Sequence, residues 1–186
     1  SGDEDTGELT AADSFSQTSW TRWTHYEYED EGRLAATWVY HLIPSSGPGS
    51  SGTNYNKTTF DFDNAGRQNY VKSPAGTITR TVFNVRGLAV SAWVGTNDTG
   101  ATDSNPAGSG SPNNMRPVSV NEYDNDNEGG DGLVTKVTSP VDDNSSNDRE
   151  VEFGYDWRDR RTTVITTDGT NVFHAVSTYD NLGRVE

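Results

Sequence analysis

The chain has 186 residues, enough for one domain or a run of repeats. Acidic side chains outnumber basic ones by 28 to 14, and the resulting net charge of −14 argues against nucleic acid as a partner, because its phosphates would be repelled. Cysteine is absent, which excludes disulfides and cysteine metal sites, and no apolar run is long enough to span a membrane as a helix.

The first part of the chain is predicted to contain an arm, a hairpin and an insertion. Residues 1–17 are acidic and rich in small side chains, so we expect an N-terminal arm before a repeat region over 18–186. Residues 19–28 alternate aromatic and polar side chains, which predicts a strand, with 33–43 as its antiparallel partner. Residues 44–56 are rich in glycine and serine without periodicity, which predicts an insertion.

Residues 57–94 are the most regular part of the chain. Strand-like runs alternate there with turn signals at 63–66, 74–76 and 84–87, which predicts an antiparallel meander. The remainder is predicted to hold two more insertions, 96–116 and 139–148, and strands over 117–123, 133–137, 150–156, 160–167 and 171–179. No amphipathic helix is evident, so the sequence predicts an all-β fold of consecutive antiparallel hairpins, forming a twisted or spiralling sheet with long polar loops.

A short pattern recurs at the turns: an aromatic residue, an acid, two variable residues, a glycine and an arginine. The aromatic suits the end of a strand, and the acid can accept hydrogen bonds from backbone N–H groups two residues on. Glycine tolerates a positive φ, and arginine can pair with the carboxylate. The most complete copies are Tyr28, Glu29, Gly32 and Arg33; Phe62, Asp63, Gly66 and Arg67; and Tyr179, Asp180, Gly183 and Arg184.

Three further copies depart from the pattern. The copy at Phe83 lacks the arginine after its glycine, and the copy at Tyr123 and Asp124 has an enlarged turn. The copy at Tyr155 and Asp156 carries an aspartate at the glycine position. Together the six copies extend over residues 28–185, nearly the whole chain.

This recurrence resembles the YD-repeat, or Rhs-repeat, proteins. The resemblance implies a long sheet of consecutive hairpins that coils into a spiral strip, shell or tube. Members include large bacterial surface and secreted proteins, the cocoon of insecticidal and interbacterial toxins, and the teneurin ectodomain. It therefore implies that the chain is a segment of a larger extracellular or secreted bacterial protein.

No residue pattern selects a catalytic site. His25, His41 and His174 each lie in a predicted strand, where a histidine usually has a structural role. A nucleophile elbow, a phosphate loop and a paired-histidine metal motif are absent from the sequence. Carboxylates are abundant enough for a glycosidase-like pair to arise by chance, but nothing selects one pair. We expect no enzymatic activity. We also expect no cofactor, with the exception of a calcium ion.

The exception is a calcium site in the enlarged turn. Its oxygen ligands recur at every second position, as in calcium loops, and the candidates are Asp124, Asp126, Glu128 and Asp131. The bidentate acid expected at the far end is absent, because Thr135 stands there. A solvated acidic insertion is the alternative explanation.

Two kinds of carbohydrate site are also candidates. Asn56, Asn97 and Asn144 lie in glycosylation sequons, although such triplets arise by chance in a chain rich in asparagine, serine and threonine. Trp23 and Trp157 break the apolar pattern around them and could stack on sugar rings. Packing within the sheet is the alternative role for both.

Together these features predict a non-enzymatic structural module of a surface fibre or scaffold. A segment of a toxin-encapsulating shell and a carbohydrate-binding surface module are the alternatives. We expect the partners to be copies of the chain or adjoining repeats, because unpaired strand edges are templates for pairing with another chain. We also expect the chain to be a processed piece or one segment of something longer.

Overall fold

Eleven β-strands follow one another along the chain in a computed structural model that describes residues 15–126 and 129–186. They form one open sheet in which each strand pairs antiparallel with the next, so the all-β fold of consecutive hairpins is confirmed. The strands are β1 (Thr24–Tyr28), β2 (Leu34–Tyr40), β3 (Tyr55–Phe62), β4 (Gln68–Lys72), β5 (Ile78–Phe83), β6 (Ala89–Gly95), β7 (Arg116–Tyr123), β8 (Val134–Ser139), β9 (Arg149–Tyr155), β10 (Arg161–Thr167) and β11 (Val172–Val176).

Helix is almost absent from the part of the chain that the structure describes. It is limited to three single 3₁₀ turns: Gln17–Ser19, Asp124–Asp126 and Ser145–Asn147. None of them is long or apolar enough to cross a membrane. Most of the predicted arm, residues 1–14, lies outside the described residues.

The first strand is shorter than predicted. β1 begins at Thr24 rather than at residue 19, because the chain before it turns so that Trp20 and Trp23 pack together next to Tyr40. Trp20 packs edge-on against Trp23 with ring centroids 5.0 Å apart, and Trp23 stacks flat on Tyr40 at 4.0 Å. The stack continues through Tyr55 to Trp38, whose rings are 4.5 Å apart. These rings cover the sheet at its β1–β3 end.

A second buried group lies where the longest loop meets the sheet. Ile78 on β5 is 1% exposed, and Pro106 and Met115, from the loop between β6 and β7, are also buried. The Arg80 guanidinium donates to Asp98 in this loop at 2.6 and 2.9 Å. The loop, residues 96–115 in the structure, is therefore packed on the sheet. The other two long loops span 41–54 and 140–148.

Burial falls away toward the C-terminal end of the sheet. Every side chain of β11 is exposed, including Val172, Phe173 and Val176, and four of the five in β1 are exposed. The sheet thus has a packed middle and two uncovered edge strands. Strands of this kind have unpaired backbone groups along one side.

Ile78→Ala tests where the core lies. Truncating this side chain leaves a cavity among packed neighbours, so we expect the free energy of unfolding in urea to fall by about 2–5 kcal/mol. Val85→Ala is the matched control, because Val85 is 98% exposed at a turn and should leave stability unchanged. Equal stability of the two variants would show that this part of β5 is not a core position.

Candidate functional site

The motif turns all lie at the same end of the strands, because each joins an odd-numbered strand to the even-numbered strand after it or follows β11. We call this row of turns the motif edge, as distinct from the edge strands β1 and β11, and number its turns along the chain. They are turn 1 (28–34), turn 2 (62–68), turn 3 (83–89), turn 4 (123–134), turn 5 (155–161) and turn 6 (179–185). The loops 41–54, 73–77, 96–115, 140–148 and 168–171 lie on the opposite edge.

Turn 2 shows how the motif closes a hairpin. The Asp63 N–H donates to the Arg67 carbonyl at 2.9 Å, and the Gly66 N–H donates to the Asp63 carbonyl at 2.8 Å. Gly66 has a φ of 77°, in the left-handed region that glycine adopts without steric cost. Phe62 and Gln68 then pair across the closed turn, next to a shift in register.

The same pairing closes every motif turn. In turn 4, which is several residues longer, Tyr123 still pairs with Val134 beside a register shift, so the longer turn is closed by the same pair. In turn 5 the aspartate at the glycine position, Asp159, adopts a φ of 60° and takes the conformation of the glycine it replaces. The remaining first-to-last pairs are Tyr28 with Leu34, Phe83 with Ala89, Tyr155 with Arg161, and Tyr179 with Val185.

The acid after the aromatic caps the turn from inside. Asp63 Oδ1 accepts the N–H groups of Ala65 and Arg67, both at 2.9 Å. Asp156 and Asp180 accept the corresponding pair in turns 5 and 6, and in turn 3 the amide oxygen of Asn84 does so. The shared requirement of these positions is a short side chain with an oxygen acceptor.

Turn 1 differs in this respect. The Glu29 carboxylate contacts the Arg33 guanidinium, but among the described residues it accepts no bond from a turn N–H. Glutamate has one more methylene than aspartate, which moves its carboxylate beyond the turn backbone. Our expectation that Glu29 would bond to the turn backbone is therefore wrong.

The motif arginine contacts two turns at once. Arg67 Nε donates to Asp63 Oδ2 in its own turn at 2.6 Å. The same guanidinium lies 4.7 Å from the centroid of the Phe83 ring in turn 3, and its Nη1 donates to the Asn84 carbonyl at 3.0 Å. Arg67 thus combines an ion pair, a cation–π contact and a backbone hydrogen bond.

Turn 5 repeats this link in full, and turn 1 repeats its ion pair and its cation–π contact. Arg160 binds Asp156 in turn 5, lies 4.6 Å from the Tyr179 ring centroid in turn 6, and donates to the Asp180 carbonyl at 3.3 Å. Arg33 of turn 1 lies 4.9 Å from the Phe62 ring centroid in turn 2. The arginines form a ladder along the motif edge, in which each rung joins one turn to the next.

Turn 3 has a leucine at the arginine position, and a different residue bridges the gap. Arg86, two positions earlier, reaches forward to Asp124 Oδ2 at 2.8 Å and to the Gly130 carbonyl at 2.5 Å in turn 4. Sequence comparison of the motif copies could not identify this bridge, because Arg86 occupies a variable position of the pattern.

Tyrosine adds a second rung where it supplies the motif aromatic. The hydroxyls of Tyr123, Tyr155 and Tyr179 each donate to the carbonyl of the last residue of the preceding turn, at 3.0, 2.7 and 2.9 Å. Phenylalanine in turns 2 and 3 has no hydroxyl for this bond. The preference for an aromatic residue therefore combines ring packing with a specific hydrogen bond to the preceding hairpin.

The turn carboxylates are held in their charged form. Burial alone would raise the pKa of Asp63, but hydrogen bonds from the Arg67 backbone, the Arg67 guanidinium and the Ala65 N–H outweigh it and lower that pKa. Hydrogen bonds from arginine also lower the pKa of Asp124, Asp156 and Asp180. These carboxylates thus act as permanent anions at neutral pH.

The candidate calcium ligands are only partly described. Asp124 accepts the N–H groups of Gly132 and Leu133 and binds the Arg86 guanidinium, so donors already surround its carboxylate. Glu128 and the side chain of Asp126 lie outside the described residues. Asp131 is exposed, and the part of the chain that is described holds no group of three or more histidine, aspartate or glutamate side chains placed to bind a metal. Calcium binding stays a prediction.

The carbohydrate candidates are dispersed over the sheet. Asn56 is exposed on β3, Asn144 is exposed and caps a 3₁₀ turn, and the half-buried Asn97 accepts two hydrogen bonds from its own sequon threonine. Trp23 is part of the aromatic stack with Tyr40. Trp157 is 81% exposed at the tip of turn 5. Sugar binding at these residues also stays a prediction.

Comparison with known proteins shows a likeness of fold. No protein-family model and no curated protein matches the chain. The crystal structure of TcdB2-TccC3-TEV superposes on 87% of this chain with a TM-score of 0.57 at 16% identity. The structure of the Photorhabdus luminescens Tc holotoxin pore, with a substitution in TccC3, superposes on 88% with a TM-score of 0.55 at 14% identity. This chain spans 7% of the length of either.

Substitutions of Asp63 test the turn cap. Asp63→Ala removes both acceptor oxygens, and we expect the melting temperature to fall by roughly 5 °C or more. Asp63→Asn should lose less, because Asn84 shows that an amide oxygen can cap the same turn. Asp30→Ala, at the exposed tip of turn 1, is the control. The cap would have no role in stability if Asp63→Ala melted like the parent in circular dichroism.

Acid should weaken the sheet through these same carboxylates. Their folded pKa values lie below the unfolded value of about 4, so their contribution to stability is complete above that pH and is lost as the pH falls through the folded values. Asp168, in the loop between β10 and β11, contributes in the same way, since hydrogen bonds from the Asn171 backbone and side chain lower its pKa to about 2.

Urea unfolding at a series of pH values measures this effect. Protonation also relieves repulsion in a chain of net charge −14, so the informative quantity is the difference between the parent and Asp63→Asn. We expect that difference to be constant from pH 7 to about pH 5 and to shrink as the pH falls below about 4. A difference that stays constant throughout would contradict the assignment of Asp63.

Proposed function

We propose that the chain is a non-catalytic structural module, a wall segment of a larger secreted Rhs-type shell, which works by continuing its sheet into adjoining repeats. The observation that carries this proposal is the state of the arginine ladder at its two ends. The first turn has an aromatic ring without an arginine, and the last turn has an arginine without a ring.

At the first turn, Tyr28 is 61% exposed, whereas the other motif aromatics are half-buried. Within residues 15–126 and 129–186, no cation lies over its ring. At the last turn, the Arg184 side chain is 75% exposed and binds Asp180 in its own turn. No described aromatic ring lies over its guanidinium. The two ends therefore complement each other as the inner turns do.

The strands beside these turns support the same proposal. β1 and β11 are the two edge strands of the sheet, and each has exposed side chains and one row of unpaired backbone groups. The strand that follows Arg184 would pair with that row, and the next hairpin beside this strand would place its aromatic ring over Arg184. Its counterpart beside β1 would supply an arginine for Tyr28.

The comparisons favour a shell wall over a fibre. One of the solved structures that share this fold is a Tc holotoxin pore, and the motif resembles repeats that build toxin-encapsulating cocoons. A sheet that is one layer thick, with few buried side chains, suits a wall whose inner and outer surfaces both face other material. In this role the chain contributes shape and continuity rather than chemistry.

Association of the isolated chain tests the proposal, because a second copy can take the place of the next repeat. Sedimentation velocity over a series of concentrations should show head-to-tail oligomers. Arg184→Gln and Tyr28→Ala should each weaken this association by about tenfold or more, because the first removes the cation and the second the aromatic ring of the same cation–π contact. Arg22→Gln, which removes the same charge from an exposed residue outside the motif turns, should not.

The result that contradicts the proposal is equally specific. A chain that remains monomeric at about millimolar concentration would show that the free edges do not pair, as would association that Arg184→Gln and Arg22→Gln weaken equally.

A further inference from the structure

The arginine ladder is interrupted at one step within the chain. The sequence from residue 123 to 134 contains no arginine or lysine, and Leu133 stands where the motif has arginine. Turn 4 therefore supplies no cation to turn 5. The structure has an open cleft of about 430 Å³ at this step, lined by residues of both turns, including Leu133, Tyr155, Asp156 and Asp159.

The cleft keeps the groups that bind a guanidinium elsewhere on the motif edge. In turns 3 and 6 the carbonyl after the motif aromatic accepts two hydrogen bonds, one from its own turn and one from the preceding arginine: Asn84 from Gly87 and Arg67, and Asp180 from Gly183 and Arg160. The Asp156 carbonyl accepts only the first of these, from the Asp159 N–H at 3.0 Å, among the residues described.

The aromatic ring is also present without its cation. Phe62, Phe83 and Tyr179 each lie under an arginine of the preceding turn, with the guanidinium 4.6–4.9 Å from the ring centroid. Tyr155 occupies the same position in turn 5, and its hydroxyl is fixed to the Val134 carbonyl at 2.7 Å. Over the described residues no cation faces its ring. The ring is thus half-buried and held in place without a cation.

Turn 5 adds a negative charge at the point of closest approach. A Cβ placed on Gly66, Gly87 or Gly183 would lie 3.3, 3.5 or 3.8 Å from the guanidinium of the preceding turn. Turn 5 has Asp159 at this position, in the same left-handed conformation. No described side chain or backbone group donates to the Asp159 carboxylate. An aspartate there carries its carboxylate to the site where the other turns hold a guanidinium.

We propose that the cleft between turn 4 and turn 5 binds the guanidinium group of an arginine side chain presented by a partner polypeptide. The incoming group lies over the Tyr155 ring, donates to the Asp156 carbonyl and pairs with the Asp159 carboxylate. The partner's guanidinium thereby makes the contact between turn 4 and turn 5 that a motif arginine at position 133 would make. The net charge of −14 favours the approach of a basic segment at long range.

The test is a titration of the isotope-labelled chain with N-acetyl-L-arginine amide, followed by amide NMR signals. The neutral isostere N-acetyl-L-citrulline amide is the matched probe, since it keeps the shape and loses the charge. We expect saturable shifts at residues 133 and 154–159 with a millimolar dissociation constant, and at least about tenfold weaker binding of the citrulline compound.

Two variants locate the site. Leu133→Arg restores the internal rung, so its own guanidinium should occupy the cleft and weaken probe binding about tenfold or more. Leu182→Arg, which adds the same charge at an exposed turn tip, should leave binding unchanged. Asp159→Gly, which restores the motif residue at a left-handed position and is therefore expected to fold, should also weaken binding.

Three results would overturn the proposal. They are the absence of saturable shifts up to about 50 mM probe, equal binding of the arginine and citrulline compounds, and binding that neither Leu133→Arg nor Asp159→Gly weakens. None of them depends on whether the sheet edges associate, because the cleft lies within one chain, between the β7–β8 and β9–β10 hairpins, and is lined by neither edge strand.

Discussion

Arg67 binds the carboxylate of its own turn on one side and lies over the aromatic ring of the following turn on the other. The carboxylate fixes the guanidinium plane, so the group reaches the next turn already oriented and loses little further side-chain freedom there. Lysine could not replace it, because a point charge offers neither the planar face nor the forked donors. The spacing between neighbouring hairpins is thereby set by one side chain whose two contacts differ in chemistry.

This arrangement explains how so polar a chain holds an extended sheet. The described residues include only a handful of buried apolar side chains, and they are concentrated between β2 and the loop that follows β6. Beyond that region, neighbouring hairpins are joined by the ladder, by tyrosine hydroxyls and by backbone pairing. Such contacts link nearest neighbours, as in other repeat architectures, where stability is approximately a sum of local and interface contributions. Each added hairpin then brings its own stabilisation.

The sequence predicted the turns well because their determinants are local: an acceptor two residues from a donor, and a glycine where φ must be positive. It could not predict the forward reach of Arg67 or Arg86, since a repeated pattern does not say which copies touch. It overextended the first strand, because alternation does not reveal that Trp20 and Trp23 turn toward Tyr40. Burial of Pro106 and Met115 was likewise hidden, since a polar loop composition predicts exposure rather than docking.

Strand alternation sorts the connections of this sheet into two classes, with motif turns on one edge and most long loops on the other. The two ends of the strands therefore differ in the changes of sequence length that they can accommodate. Lengthening a loop on the far edge leaves every rung of the ladder in register, and the entropic cost grows slowly with loop length. Evolution can thus add mass, charge or whole inserted domains at one end of the strands, while the spacing of the turns at the other end stays constant. The three long loops mark where such additions are tolerated.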